Sequence, residues 1–250
     1  MLEIEGLGKR YGTFTAIEGL SLRVARGEIF ALLGPNGAGK TTTLRILMGF
    51  LKPSAGNARI AGLDCFGDRV ALKRLVGYLP DDPVFYDYLR GREIIEFSGG
   101  MHGLTREQIQ ARAQPLLERL ELTEASSDYA VNYSRGMKKK LALICALLHG
   151  PQLLILDEPT SGLDPLATRS LNELLLEQRA AGTTILLSSH LLDQVERLCE
   201  RMAIVSAGKI AAIGTLEELR RERARGTLEE IFFAVATEGR APPSPSGGLP

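Results

Sequence analysis

The sequence predicts an α/β fold organised around a parallel sheet with helices on both faces. Three observations carry this: apolar runs alternate with helix-spaced segments from about residue 135 to residue 206, an apolar run near residue 30 passes through a glycine-rich stretch into a helix, and a later apolar run ends on the adjacent carboxylates Asp157 and Glu158. Strands buried on both faces read as unbroken apolar runs, and alternation with helices implies crossover connections between parallel neighbours.

In chain order, the first sixty residues read as short strands punctuated by glycine, clearest at 20–25 and 28–33 with Gly27 as the turn between them. The helix after the glycine-rich stretch ends by Pro53-Ser54-Ala55-Gly56, and 57–61 reads as another strand. A buried strand at 75–79 runs into Pro80-Asp81-Asp82-Pro83. From Arg92 to about Leu122 the apolar positions, among them Ile94, Ile95, Leu116, Leu117 and Leu120, fall at helical spacing, as expected of a helical insertion. Then follow a helix at 135–149, a strand at 153–156, a helix at 165–181, a strand at 183–188, a helix at 191–200 and a strand at 202–206. Ser206-Ala207-Gly208-Lys209 reads as a hairpin turn into 210–213, and residues 241–250, mostly Pro, Ser and Gly, are expected to be disordered.

At 250 residues with 44% hydrophobic and 24% charged content, one large domain, or one domain with a subdomain, is expected. Lys+Arg and Asp+Glu both count 30, so there is no global bias towards nucleic acid or an acidic membrane, and an anion site must be local. Cys65, Cys145 and Cys199 are widely spaced without CxxC pairing, which argues against a zinc site or a disulfide framework and for a reducing compartment. The start, Met1-Leu2-Glu3-Ile4-Glu5, is acidic where a signal peptide would be basic, so a cytoplasmic location is expected. The longest clean apolar run, 141–148, falls far short of the roughly 20 residues that span a bilayer as a helix.

Gly34-Pro35-Asn36-Gly37-Ala38-Gly39-Lys40-Thr41 fits G-x-x-x-x-G-K-[ST], directly after an apolar strand and before a helix, the context that the motif of P-loop NTPases requires. Small residues let successive N–H groups curl inward onto phosphate oxygens, and the helix start adds its positive end. In this reading Lys40 reaches the β- and γ-phosphates of ATP, Thr41 places its hydroxyl on Mg²⁺ and Thr42 can contact the α-phosphate. Asp157 suits the Mg²⁺ shell, and Glu158 can accept a proton from the attacking water or orient it. As a bare pair, the two carboxylates would also serve to cap the turn at Pro159.

Further segments narrow the field. Tyr133-Ser134-Arg135-Gly136-Met137 at a helix start resembles the signature of ABC ATPases, usually Leu-Ser-Gly-Gly-Gln; Ser161-Gly162-Leu163-Asp164 resembles their D-loop, and His190 stands where their switch histidine does. The resemblance covers residue 1 to about 215. It implies a nucleotide-binding domain at 1–236, with a RecA-like core, an antiparallel β subdomain that holds the adenine and a helical subdomain at about 82–150, followed by a tail at 237–250. It further implies a head-to-tail dimer, with a second copy or a paralogous ATPase subunit, whose two ATP molecules lie between one subunit's phosphate loop and the other's signature. Tyr11 would stack on adenine, Ser134 and Gly136 would contact the γ-phosphate across the interface, and His190 would sense that phosphate. Each has a plainer reading: a core tyrosine, a serine N-cap and a residue that opens the next helix.

Three departures stand out. Arg135 replaces the first glycine of the signature, pointing either to solvent or to phosphate, Met137 replaces its glutamine, and Asp81 stands where the family's Q-loop carries glutamine, as a further Mg²⁺ oxygen or simply a turn residue. The implied function is an ATP-hydrolysing subunit at the cytoplasmic face of the membrane that drives a separate permease. Leu228-Glu229-Glu230-Ile231-Phe232 resembles the C-terminal region of subunits paired with export-type permeases. The competing reading, a soluble ABC ATPase that handles DNA, RNA or another protein, lacks a coiled-coil insertion, zinc cysteines or a basic tail to support it.

Overall fold

A computed structural model describes residues 1–223 and 226–238. Strand β1 (Leu2–Tyr11) folds back on β2 (Phe14–Val24), and β3 (Ile29–Leu33) leads through the glycine-rich loop into α1 (Lys40–Leu47). Then come β4 (Ala55–Ile60), β5 (Leu63–Asp64), α2 (Arg69–Lys73), β6 (Val76–Leu79), α3 (Gly91–Met101), α4 (Arg106–Arg119) and α5 (Arg135–Leu147). The chain continues as β7 (Leu153–Asp157), α6 (Pro165–Ala180), β8 (Thr184–Ser189), α7 (Leu192–Leu198), β9 (Arg201–Ser206), β10 (Lys209–Thr215), α8 (Leu216–Arg223) and α9 (Leu228–Glu238).

There are two sheets. One is antiparallel with order β2-β1-β4-β5; the other runs β10-β9-β3-β8-β7-β6 and is parallel except for its edge strand β10. The parallel sheet fulfils the fold class expected from the apolar runs. Along β3, Ile29, Ala31 and Leu33 join the core shared with α3, α4 and α5, whereas Phe30 and Leu32 join the core shared with the antiparallel sheet. Every residue of β3 and β7 is buried, which is why neither alternates in sequence.

Local signals set the helix starts. Thr105 and Gln108 form a reciprocal capping box on α4. Asp164 caps α6 by accepting a 2.9 Å hydrogen bond from the Ala167 N–H, with Pro165 as the first helical residue. The expected helix at 135–149 stops at Leu147, and the insertion is two helices broken before Thr105. Helices α2, α8 and α9 were not anticipated. Helix α2 is only five residues long, and α8 is so charged that its buried Leu219 leaves no periodic pattern. The expected strand at 28–33 begins at Ile29 because the Glu28 carboxylate folds back to accept from the Ala25 N–H. Of the expected tail, 237–238 still belong to α9, and 239–250 lie outside the described residues. Among the described residues no helix is long and apolar enough to cross a membrane.

The ends of α3 and α5 meet through His102 and His149, whose rings stack 3.8 Å apart and 7° from parallel. Both His149 nitrogens are buried without a hydrogen-bond partner. Burial, then the neighbouring His102, pushes its pKa down to about 4. The unfolded chain binds that proton near the ordinary 6.5 while the folded chain does not, so stability falls as pH drops from about 6.5 towards 4. Urea unfolding at pH 5 should therefore show about 1–2 kcal/mol less stability than at pH 7, and His149→Phe, which keeps a stacking ring, should flatten that slope. Equal pH slopes in the two proteins would count against a neutral, buried His149.

Candidate active site

The carboxyl ends of the central strands assemble the site, because β3, β8 and β7 run parallel and in register. Ser188 lies opposite Leu32 on one side and Asp157 on the other, which brings the loop after β3 beside the carboxylates that end β7. The loop is tightly held: a Cβ on Gly34 would meet the Val205 carbonyl oxygen at 2.4 Å, and one on Gly39, at φ 105°, would meet that of Ala16 at 2.7 Å. Only glycine fits at both places. Pro35 is half-buried, Asn36 and Gly37 are exposed at the loop tip, and Ala38 is buried with its carbonyl accepting from the Gly208 N–H at 3.1 Å. Thr41 and Thr42 open α1, both half-buried.

Lys40 folds back over this loop. Its ammonium donates to the Gly34 carbonyl at 2.6 Å and to that of Pro35 at 3.4 Å, and lies 3.5 Å from Glu158 Oε1. The side chain is only 6% exposed. Glu158 in turn contacts His190, with Oε2 to Nδ1 at 2.8 Å, while Oε1 is buried with no hydrogen-bond partner. The sequence-predicted Lys40, Glu158 and His190 therefore form one cluster. Its geometry rests on an unusual backbone: Glu158 has φ +47°, a left-handed conformation that costs a non-glycine residue about 1–2 kcal/mol. The turn aims the Glu158 carboxylate back across β8, and its N–H finds the Ser188 carbonyl at 3.2 Å and the Ser188 hydroxyl at 3.1 Å.

The same hydroxyl donates to Asp157 Oδ1 at 2.5 Å. Asp157 is 1% exposed, and among the described residues no lysine or arginine lies within ion-pair distance of it. A buried carboxylate without a paired cation suits a Mg²⁺ site, and so does the Thr41 hydroxyl at the start of α1. Among the described residues no group of three or more His, Cys, Asp or Glu side chains is placed to hold a metal ion.

The other predicted residues stand around this centre. Tyr11 ends β1 beside the Gly12–Thr13 turn, 46% exposed, with the Lys9 ammonium 5.2 Å from its ring centroid; it is not a core tyrosine. Ser134 caps α5 by accepting from the Met137 N–H at 3.2 Å, and a Cβ on Gly136 would meet the Gly162 carbonyl at 3.1 Å, so Gly136 faces the Gly162 turn and Ser134 is engaged at the helix start. Asp81, 44% exposed, is ion-paired through Oδ1 to Arg135 at 3.1 Å and Lys139 at 3.2 Å. Sequence reasoning missed Ser188, Lys139 and Gln194. The last links the turn after Glu158 to the His190 segment, accepting from Thr160 at 3.0 Å and donating to Asn172 at 3.2 Å.

A family model described as ABC transporter matches residues 17–161. The daunorubicin resistance ATP-binding protein DrrA3 of Streptomyces coeruleorubidus is 36% identical over 240 residues, covering 96% of this chain and 76% of that protein. The Nod factor export ATP-binding protein I of Ralstonia nicotianae is 39% identical over 236 residues, 93% of this chain and 72% of that protein. A solved ATP binding subunit of an ABC transporter shares 36% identity and superposes with a TM-score of 0.89 over 94% of this chain and 99% of its own. With the phosphate loop, the paired carboxylates and the histidine gathered on one edge of a parallel sheet, these likenesses show that the chain belongs to the ABC transporter family, as an ATP-binding ATPase subunit.

Proposed function

We propose that the chain drives export through a separate membrane permease, working as a head-to-tail pair at the cytoplasmic face of the membrane. The observation that carries the hydrolytic part is Glu158 Oε1, buried, without a hydrogen-bond partner and 3.5 Å from the lysine of the phosphate loop. A carboxylate in that state is ready to take a proton from water attacking the γ-phosphate, with Lys40 neutralising the β- and γ-oxygens and His190 steadying the carboxylate. The loop from Gly34 to Gly39 supplies backbone N–H groups from every residue but Pro35, Thr42 a hydroxyl for the α-phosphate, and Tyr11 an exposed face for adenine. Thr41 and Asp157 would hold Mg²⁺, with Asp81 contributing its second oxygen directly or through water. The ion would neutralise phosphate charge. Ser134 and Gly136 serve the ATP of the opposite subunit.

The permease reading draws on the exposed apolar surface of the helical insertion. Val84, Tyr86, Phe97 and Met101 are each more than half exposed and line a groove with Ile94 and Cys145, and Tyr88, two residues beyond Tyr86, is 87% exposed. Residues this apolar, clustered on one face, suit a protein partner. Export is favoured by the Ralstonia relative, which is a Nod factor export protein. Purification of the tagged chain from detergent-solubilised membranes should return a polytopic membrane protein. Val84→Asp with Tyr88→Asp should cut that recovery about tenfold or more while leaving ATP hydrolysis by the isolated chain unchanged, because neither residue is near the Lys40 cluster. Recovery of nucleic acid in place of a membrane protein would overturn the permease reading.

A further inference from the structure

Lys139 has no part in the chemistry described so far, yet its side chain is 0% exposed and its ammonium donates to the main-chain carbonyl of Glu158 at 2.5 Å. A buried ammonium is costly, and an apolar side chain would fill the same space without that cost. What the ammonium does is hold one particular peptide. The Glu158 residue is the strained one, at φ +47°, with its N–H fixed by Ser188 on one side and its C=O fixed by Lys139 on the other.

The counter-ion is Asp81. Its Oδ1 lies 3.2 Å from Lys139 and 3.1 Å from Arg135, one helical turn earlier on the same face of α5. The Asp81 carboxylate supplies this buried ammonium with both a hydrogen-bond acceptor and an opposite charge. Two of the departures from the family pattern thus complement each other: the negative charge of Asp81 meets the cation of Arg135, and the same carboxylate oxygen holds Lys139.

We propose that Lys139 is a positioning residue for ATP hydrolysis: anchored by Asp81, it fixes the Glu158 peptide so that the Glu158 carboxylate points at the reacting water. Helix α5 also begins with Ser134 and Gly136, so a shift of this helix reaches the carboxylate through a single hydrogen bond. A misdirected base slows the chemical step without weakening nucleotide binding, since no phosphate contact is lost.

The inference rests on Glu158 acting as the base, and the test separates the two. Steady-state hydrolysis by the full chain at saturating Mg-ATP is compared for wild type, Lys139→Met, Lys139→Arg, Glu158→Gln and the Lys139→Met/Glu158→Gln double variant. Lys139→Met is expected to lower kcat about 10- to 100-fold with KM for ATP changed less than about threefold, and Lys139→Arg, which keeps a cationic donor, to restore most of it. In the Glu158→Gln background Lys139→Met should have no further effect, because both act through one carboxylate. An equal fall in both backgrounds, an unchanged kcat in Lys139→Met, or a failure of arginine to rescue would overturn the inference while leaving the base assignment intact. Wild-type turnover in Glu158→Gln would overturn the base assignment itself. If Lys139→Met does not fold, Lys139→Gln enters the same cycle under the same criteria.

Discussion

Lys40→Ala should lose at least about 99% of ATP turnover, since in the proposed site the lysine places a point charge on the two phosphates whose bond breaks, and such charge stabilisation accounts for most catalysis in phosphoryl transfer. The contacts in the structure say why no neighbour can substitute. Lys40 lies over the loop within reach of the Gly34 and Pro35 carbonyls and 3.5 Å from Glu158, and among the described residues no other lysine or arginine pairs with the Glu158 carboxylate. The variant should stay folded, because the loop is held by backbone bonds such as Gly208 N–H to the Ala38 carbonyl and by close glycine packing, neither of which involves the lysine side chain. A malachite-green phosphate assay paired with thermal unfolding separates a lost reaction from a lost fold. Unchanged hydrolysis in a folded Lys40→Ala protein would sink the phosphate-loop assignment.

What could be read from sequence differs by the kind of physics involved. The loop from Gly34 to Thr41 was legible because its chemistry is local: glycines where side chains would strike Val205 and Ala16, then a lysine and a helix start, all within eight residues. Strands β3 and β7 were legible because burial on both faces removes the polar residues that would otherwise blur them. Ser188 was not, since a serine near a strand end carries no signal until the register of β7 against β8 sets it opposite Asp157. Lys139 was hidden within Lys138-Lys139-Lys140, which reads as a solvated face; only the packing of α5 against β6 and the Glu158 turn shows that its middle member is buried. Asp81 was read as a magnesium oxygen or a turn residue, and neither reading included its pairing with Arg135 and Lys139, because residues 54 and 58 positions apart meet only in the folded chain. Helix α8 was missed for the opposite reason: it packs by few apolar contacts and leaves too weak a pattern.

Glu158→Gln should separate binding from hydrolysis where Lys40→Ala does not. Glutamine keeps the size of the side chain and one oxygen, so the Lys40 neighbour at 3.5 Å retains a dipole to face, and the Ser188 bonds to the residue's own N–H are untouched. The proton acceptor is gone. Buried Oε1, which has no hydrogen-bond partner in the wild type, becomes an amide group or a carbonyl oxygen, and neither takes a proton from water at neutral pH. Removing the negative charge should also ease the approach of the triphosphate, because a carboxylate beside the γ-phosphate repels it. The expected outcome is turnover lowered about 10²- to 10³-fold, ATP affinity equal to or tighter than wild type, and a dimer that accumulates with two ATP molecules held between the subunits. Light scattering after gel filtration in Mg-ATP measures the mass directly, and nucleotide extracted from the dimer peak should be ATP, not ADP. A dimer peak containing ADP would show that hydrolysis proceeds without this carboxylate. A monomer in ATP, when the same chain dimerises in complex with its membrane partner, would assign the pairing energy to the permease rather than to the shared nucleotide.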